Sequence, residues 1–398
     1  MRRDVFALLC VSVWINYMDR GNLSVAAPAL QPEMALSPTQ MGVLLSGFFW
    51  TYSLLQPVAG WLVDRYNVYR LYAAGFAIWS LAVAAGGLAV GFHWLLMTRL
   101  LLGVGESLAY PAYSRMLTAA FPEGRRGFAN AMIDVGTKAG PALGTLLGGM
   151  VIQAHGWRAF FFWMGGLSLV WLLPWLRAIP RHFAVVHVAG SAPSSQAILR
   201  RPAAWITFLG LFCFNYAYYF LLTWLPSYLV SERKFSLRAM AVYGALPFCA
   251  TALASLLTGA WTDRRIRVGS GPELRIRVAV TGLLACAAML LACATLQAAP
   301  AAMTCLVVGF VGIGLFTANA WAITQTMAGK EAAGTWTGWQ NAIGNMGGVV
   351  APIVTGWTVG ASGSFLTAFA VASAMLVGSA LLYSLLLRSR PSPSGAQV

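Results

Sequence analysis

Twelve apolar runs, each long enough to cross a lipid hydrocarbon core, follow one another along almost the whole chain with only short polar breaks. Crossing such a core takes about 20 helical residues. The runs lie at roughly 5 to 30, 40 to 62, 71 to 91, 94 to 119, 128 to 152, 158 to 178, 203 to 230, 241 to 262, 277 to 298, 300 to 328, 334 to 358 and 364 to 387. In lipid every backbone N–H and C=O needs an internal partner, so only helices and closed barrels can span it. Uninterrupted apolar stretches replace the two-residue alternation of a barrel strand, which leaves helices. The expected fold is an all-α membrane protein of twelve transmembrane helices. Hydrophobic residues make up 59% of the 398 positions and charged ones 9%, against roughly 25% charged in a soluble chain. The first span is far longer than the apolar region of a signal peptide and is taken as retained.

The net charge of +15 raises the question of a nucleic-acid partner, and its placement answers it. Of 26 Lys and Arg, 18 fall at the termini and in alternate loops, and the intervening loops carry four. That bias predicts an inner membrane protein with both termini in the cytoplasm. The excess charge then faces anionic lipid headgroups, with no nucleic acid involved. The six cysteines all sit inside apolar spans without metal-ligand spacing and read as small packing residues. No metal site and no cofactor is expected. None of the four histidines, His93, His155, His182 and His187, is mid-span. A membrane-embedded enzyme would need a nucleophile with its base, or a metal, and neither is evident.

The chain also repeats itself. Gly60-Trp61-Leu62-Val63-Asp64-Arg65 ends the second span and Gly259-Ala260-Trp261-Thr262-Asp263-Arg264 ends the eighth, with Asp64 and Asp263 199 positions apart. Two six-helix halves are therefore expected, 1–178 and 203–388, joined by a cytoplasmic linker over 179–202 and followed by a tail at 389–398. A transporter built from repeated halves binds its cargo near the bilayer midplane.

An ionised side chain at the bilayer centre costs at least about 2.5 to 3.5 kcal/mol on insertion scales and is functional by default. Six qualify: Asp19, Arg20, Arg99, Glu106, Asp134 and Lys138, all in the first half. Arg99 and Glu106 are two turns apart on one helical face, about 10.5 Å, too far for a direct bond. Asp19 and Arg20 on the first span are the expected partners that complete them. One reading is a static ion-pair cluster. The other is a proton switch, in which ionised Asp19 occupies Arg20 and its protonation frees the guanidinium to grip a substrate carboxylate through two parallel hydrogen bonds. Glu106 would take a second proton. Asp134 and Lys138 are spaced i,i+4 and can neutralise each other, or Lys138 can serve as a second anion-binding cation. Arg99 joins the candidate anion site on the same grounds. At depth in the second half, uncharged groups including Gln340 and Asn341 suit recognition of hydroxyls or carbonyls without adding charge.

The Gly-x-x-x-Asp-Arg loops resemble the signature of the major facilitator superfamily. Further segments are similar to its anion:cation symporter family, which includes bacterial galactonate, glucarate and hexuronate transporters. They are Asn16-Tyr17-Met18-Asp19-Arg20, Arg99 to Glu106, Phe121-Pro122-Glu123, Gly156-Trp157-Arg158, and Gly338 to Gly348. The resemblance implies gating roles for Asp64, Arg65, Asp263 and Arg264, although the first loop lacks a glycine and an arginine of the full pattern. It implies proton coupling through Asp19 and Glu106, and substrate contacts from Tyr17, Arg20, Tyr52, Trp321 and Asn341. Thr137 stands where such relatives have glutamine, and Ala318 and Ala320 where they have hydroxyl residues. Unpaired substrate hydroxyls lose their water without replacement, so the expected cargo is a small carboxylate less hydroxylated than a six-carbon aldonate. Proton-coupled symport of a small organic anion by a monomer is the expected function; an uncoupled facilitator or exporter of the same fold is the alternative.

Overall fold

The computed structural model describes residues 3–120, 123–179 and 195–387. Among these residues the fold is all helical: α1 (Arg3–Glu33), α2 (Pro38–Arg65), α3 (Val68–Gly86), α4 (Phe92–Ser107), α5 (Ala109–Ala120), α6 (Glu123–Ala178), α7 (Ser195–Leu199), α8 (Pro202–Ser227), α9 (Leu237–Arg267), α10 (Glu273–Thr295), α11 (Ala299–Ser362) and α12 (Leu366–Leu385). A π-helical turn, Tyr228–Glu232, extends α8. All twelve expected spans are present as helix. The fourth is α4 and α5 in series, while α6 and α11 each run through two spans. In α6 the break is Gly156, at φ +81°, a left-handed conformation that favours glycine. Helix α7 is a short element in the expected linker, whose residues 180–194 lie outside the described part, as does the expected tail.

Eight helical stretches are long and apolar enough to cross a membrane by length and composition. The first-half helices α1, α2 and the α4–α5 pair fall below that mark. The break at Leu108 leaves α4 and α5 each too short, and in α1 the buried Asp19 and Arg20 lower the hydropathy.

Packing divides the chain into two compact units that do not follow the boundary between sequence halves. One comprises Met1–Ala189, Tyr219–Cys249 and Gly348–Ala368; the other comprises Gly190–Tyr218, Ala250–Gly347 and Phe369–Val398. The first unit thus holds ends of second-half helices against first-half ones. Ser24 on α1 donates to the carbonyls of Leu222 and Thr223 on α8, at 2.9 and 2.6 Å, and Phe49 on α2 meets Tyr219 at 4.4 Å between ring centroids. Its aromatic core is built by α3 and α6, with Phe76 stacked on Trp171 at 4.1 Å and Trp171 on Trp175 at 5.1 Å. In the second unit Phe214, Phe316 and Tyr383 form the comparable core. There α7 is anchored through Ile198, buried with Ala204, Phe208, Ala328 and Trp336.

Candidate functional site

Four helices of the first unit bring its charges together, and glycine sets how closely they approach. A Cβ on Gly103 of α4 would collide with Phe48 and Thr51 of α2, and one on Gly105 would sit 2.6 Å from the carbonyl oxygen of Gly75 on α3. The two glycines therefore let α2 and α3 close on either side of α4 just before Glu106. Thr51 Oγ1 fixes the α2–α4 crossing by donating to the Leu100 carbonyl at 2.7 Å. On α6, Gly136, Gly140, Gly144 and Gly148 line one face at four-residue spacing, and α1 lies along it with Tyr17 against Gly140.

At this junction Arg20 donates from Nε and from a terminal nitrogen to the same Glu106 carboxylate oxygen, at 3.1 and 2.9 Å. Its guanidinium lies against three rings, 4.7 Å from Tyr17, 4.9 Å from Phe48 and 4.7 Å from Tyr52. Tyr52 and Phe48 are themselves stacked at 5.0 Å. Arg99 donates to the Asn22 side-chain oxygen at 3.2 Å and to the Arg20 carbonyl at 3.4 Å, with the face of Phe48 at 5.5 Å. Asp19 accepts from Ser168 Oγ of α6 at 3.0 Å. Asp19, Arg20, Arg99 and Glu106 are all buried. Two acids and two bases balance in formal charge, which is what permits them inside a bilayer. Among them Asp19 Oδ1, Glu106 Oε1 and Arg99 Nε make no close hydrogen bond, with the Asn16 amide directed at the Glu106 carboxyl.

One expectation is corrected. Arg20 is occupied by Glu106, and Asp19 faces Ser168 instead. Neighbouring residues on a helix point about 100° apart, so Asp19 and Arg20 are turned toward different helices. The other candidates are spread more widely. Thr137 is buried and Lys138 half-buried on α6; the side chain of Asp134 lies outside the described part. In the second unit, Gln340 accepts from Thr324 Oγ1 at 2.8 Å and donates to the Thr207 carbonyl at 3.3 Å. Its amide links α8 and α11. Trp321 is 41% exposed and Asn341 half-buried. Of the gating candidates, the Asp64 side chain lies outside the described part. Arg65 is exposed, its guanidinium 4.6 Å from the Trp61 ring. Asp263 pairs with Arg275 at 2.5 Å, Arg275 also reaches Asn319 at 3.3 Å, and Arg264 is exposed.

Ser168, Phe48, Asn16 and Asn22 are site neighbours that reading the sequence passed over. Ser168 had a signal, because it is the lone Ser or Thr between Arg158 and Arg177. Phe48 had none to separate it from Phe49.

The family model for the Major Facilitator Superfamily matches residues 9–352. The chain is 31% identical to the probable sulfoacetate transporter SauU of Cupriavidus necator, covering 94% of this chain and 91% of that one. It is 29% identical to the hexuronate transporter of Bacillus subtilis, covering 95% and 92%. Its fold is similar to the crystal structure of a bacterial homologue of the human lysosomal transporter Spinster in an inward-facing and occupied conformation. That likeness has a TM-score of 0.83 at 19% identity and covers 98% of both chains.

Proposed function

Since this chain belongs to the Major Facilitator Superfamily, in its anion:cation symporter branch, we propose that it is a secondary active transporter that carries a small organic anion together with protons. The observation that carries the reading is the Arg20–Glu106 pair, sealed among Tyr17, Phe48 and Tyr52 with Asp19 on the next residue of α1. With Glu106 ionised, Arg20 is neutralised by it. A proton on Glu106 removes that charge and frees the guanidinium, which then takes a substrate carboxylate with two parallel hydrogen bonds. The three rings hold the guanidinium in place in both states. Asp19 takes the second proton, so that protons and anion enter as one compensated unit.

Lys138, Arg99 and Thr137 are assigned to the anion site with Tyr17, Arg20 and Tyr52, Trp321, Gln340 and Asn341 of the second unit to substrate contact, and the Asp64–Arg65 and Asp263–Arg264 pairs to gating. The halves 1–178 and 203–388 are the bodies that alternate access, in a bacterial inner membrane with both termini cytoplasmic. Each net positive charge carried inward gains about 2.3 kcal/mol per 100 mV. Thr137, Ala318 and Ala320 offer few hydrogen bonds to a polyhydroxylated chain, which favours a less hydroxylated anion. The likeness to a protein named for sulfoacetate, which has no hydroxyl groups, supports this choice.

The test is uptake into proteoliposomes of a panel of labelled carboxylates and sulfonated carboxylates, with and without an imposed proton gradient. Asp19→Asn and Glu106→Gln are expected to abolish gradient-driven accumulation while counterflow exchange persists. Unchanged accumulation in both variants would leave an uncoupled facilitator or exporter as the function.

A further inference from the structure

Asp19 is fully buried, and its two carboxylate oxygens are treated differently. Oδ2 accepts a hydrogen bond from Ser168 of α6 at 3.0 Å, whereas Oδ1 has no hydrogen-bond partner. Ser168 is itself fully buried, and its hydroxyl is the one group in the span from Phe160 to Leu173 suited to this bond, since neighbouring side chains there are apolar or indole. The indole of Trp79 on α3 faces the same carboxyl and acts on it as a second, weaker N–H donor. The ionisable groups acting on Asp19 come from α4, namely Glu106 and Arg99, with Arg20 next to it on α1 and turned to Glu106. On α3 the Tyr72 hydroxyl is engaged with Ser12 and Tyr113. No charged group reaches Asp19 from α6 among the described contacts.

We infer that Ser168 is a positioning residue for the proton site: it ties Oδ2 to α6 and sets the pH at which Asp19 changes charge. This rests on the reading of Asp19 as a proton-coupling residue. The geometry supports it in two ways. A hydroxyl donor aimed at a carboxylate oxygen favours the ionised form. It also fixes the carboxyl's orientation, by tying one oxygen to a residue of a neighbouring helix. Because Arg20 is engaged by Glu106, Ser168 is the stronger hydrogen-bond donor to Asp19, ahead of the Trp79 indole. A hydroxyl of α6 thus tunes a charge carried on α1, and the two helices are joined at the point where the proton is held.

The test uses the purified full-length chain in lipid and follows the C=O stretch of protonated carboxyls by infrared difference spectroscopy through a pH titration, which needs no substrate. The band lost in Asp19→Asn is that of Asp19. In Ser168→Ala its midpoint is expected to rise by about one to two pH units, the size of one hydrogen bond to a charged group, with the stretch moving to higher frequency as the bond is lost. Ser168→Thr keeps the hydroxyl and is expected to restore both. If Ser168→Ala does not fold, Ser168→Cys keeps the volume with a weaker donor and is expected to give a smaller shift in the same direction. A midpoint unmoved in the alanine or cysteine variant overturns the role of Ser168 alone. A titration in which Asp19→Asn removes no band overturns the proton-site reading on which it rests.

Discussion

Arg20 keeps its charge between three aromatic faces and one acid, so the environment of the guanidinium is mostly apolar and flat. Phe48 is the shared wall, touching Arg20 on one side and Arg99 on the other. Phe48→Leu keeps most of the apolar volume and removes the π-face. A cation–π contact in a desolvated site is worth about 0.5 to 2 kcal/mol, which predicts a 2- to 30-fold rise in the KM for the transported anion. The thermal midpoint should change little, because the swap is hydrophobic for hydrophobic. A KM unchanged in counterflow assays would show that the ring contributes packing alone. The same neighbourhood marks the limit of what the residues alone could tell. That Asp19, Arg20, Arg99 and Glu106 share one place was legible, since an unpaired charge in a bilayer needs a partner. Which acid holds Arg20 was not, because it depends on the rotation of α1 about its axis, and neither spacing nor composition sets that angle. The groups that Gln340 meets were not legible for a related reason: an amide at depth suits substrate or structure equally well until its neighbours, here Thr324 and Thr207, are seen.

At the scale of elements, every spanning helix was visible in its apolar run, while the joints and the short α7 within the linker were not. Two spans pass through α6 with a turn made by one residue at positive φ, Gly156, where the sequence shows only a short polar break. The glycine face of α6 follows the small-residue spacing that lets membrane helices touch, and it explains why α1 packs so extensively there. A second set of small residues lies where α2 meets the far part of α11, within the first unit. A Cβ on Gly42 would overlap the Pro352 carbonyl, and one on Gly356 would overlap the Pro38 carbonyl. In both cases the obstacle is backbone, which cannot move aside as a flexible side chain can. Gly356→Leu is therefore expected to push α2 and α11 apart at this crossing. The neighbouring Thr355, now buried, should become reactive once replaced by cysteine. Maleimide labelling at Thr355→Cys, located by mass spectrometry, should proceed several-fold faster when Gly356→Leu is also present. Equal rates would mean that the helices absorb the added side chain without separating.

Across the whole molecule the internal repeat is more extensive than the Asp-Arg loops suggest. Glu33 and Glu232 are 199 residues apart, as are Ala35 and Lys234, and Ser37 and Ser236. Ala35 and Lys234 are the two non-glycine residues at positive φ among those described, at 50° and 58°. Ser37 and Ser236 each accept a hydrogen bond from the backbone N–H three residues on, capping the following helix. Each half also ends its first helix on an acid that clasps the start of its last. Glu33 accepts from Trp157 Nε1 at 2.6 Å and pairs with Arg158, while Glu232 accepts from the Phe365 N–H at 2.7 Å. Arg158 and Trp157 hold the Glu33 carboxyl below the usual carboxylate range through their hydrogen bonds. The sign of the effect follows from that depression. The clasp contributes its full stability above the unfolded carboxyl's value, near 4.3, and loses it as pH falls through the lower folded value. Both partners are about half exposed, so the contribution is at most about 1 kcal/mol. Glu33→Gln keeps an acceptor for Trp157 and removes the charge. Its thermal midpoint at pH 7 should lie a degree or two below that of the unaltered protein, about what such an energy gives in a large chain. The gap should close on acidification below pH 4, and added salt should narrow it at pH 7. A difference that persisted at low pH and high salt would assign the clasp to packing of Trp157 against the end of α1, with its charge playing no part.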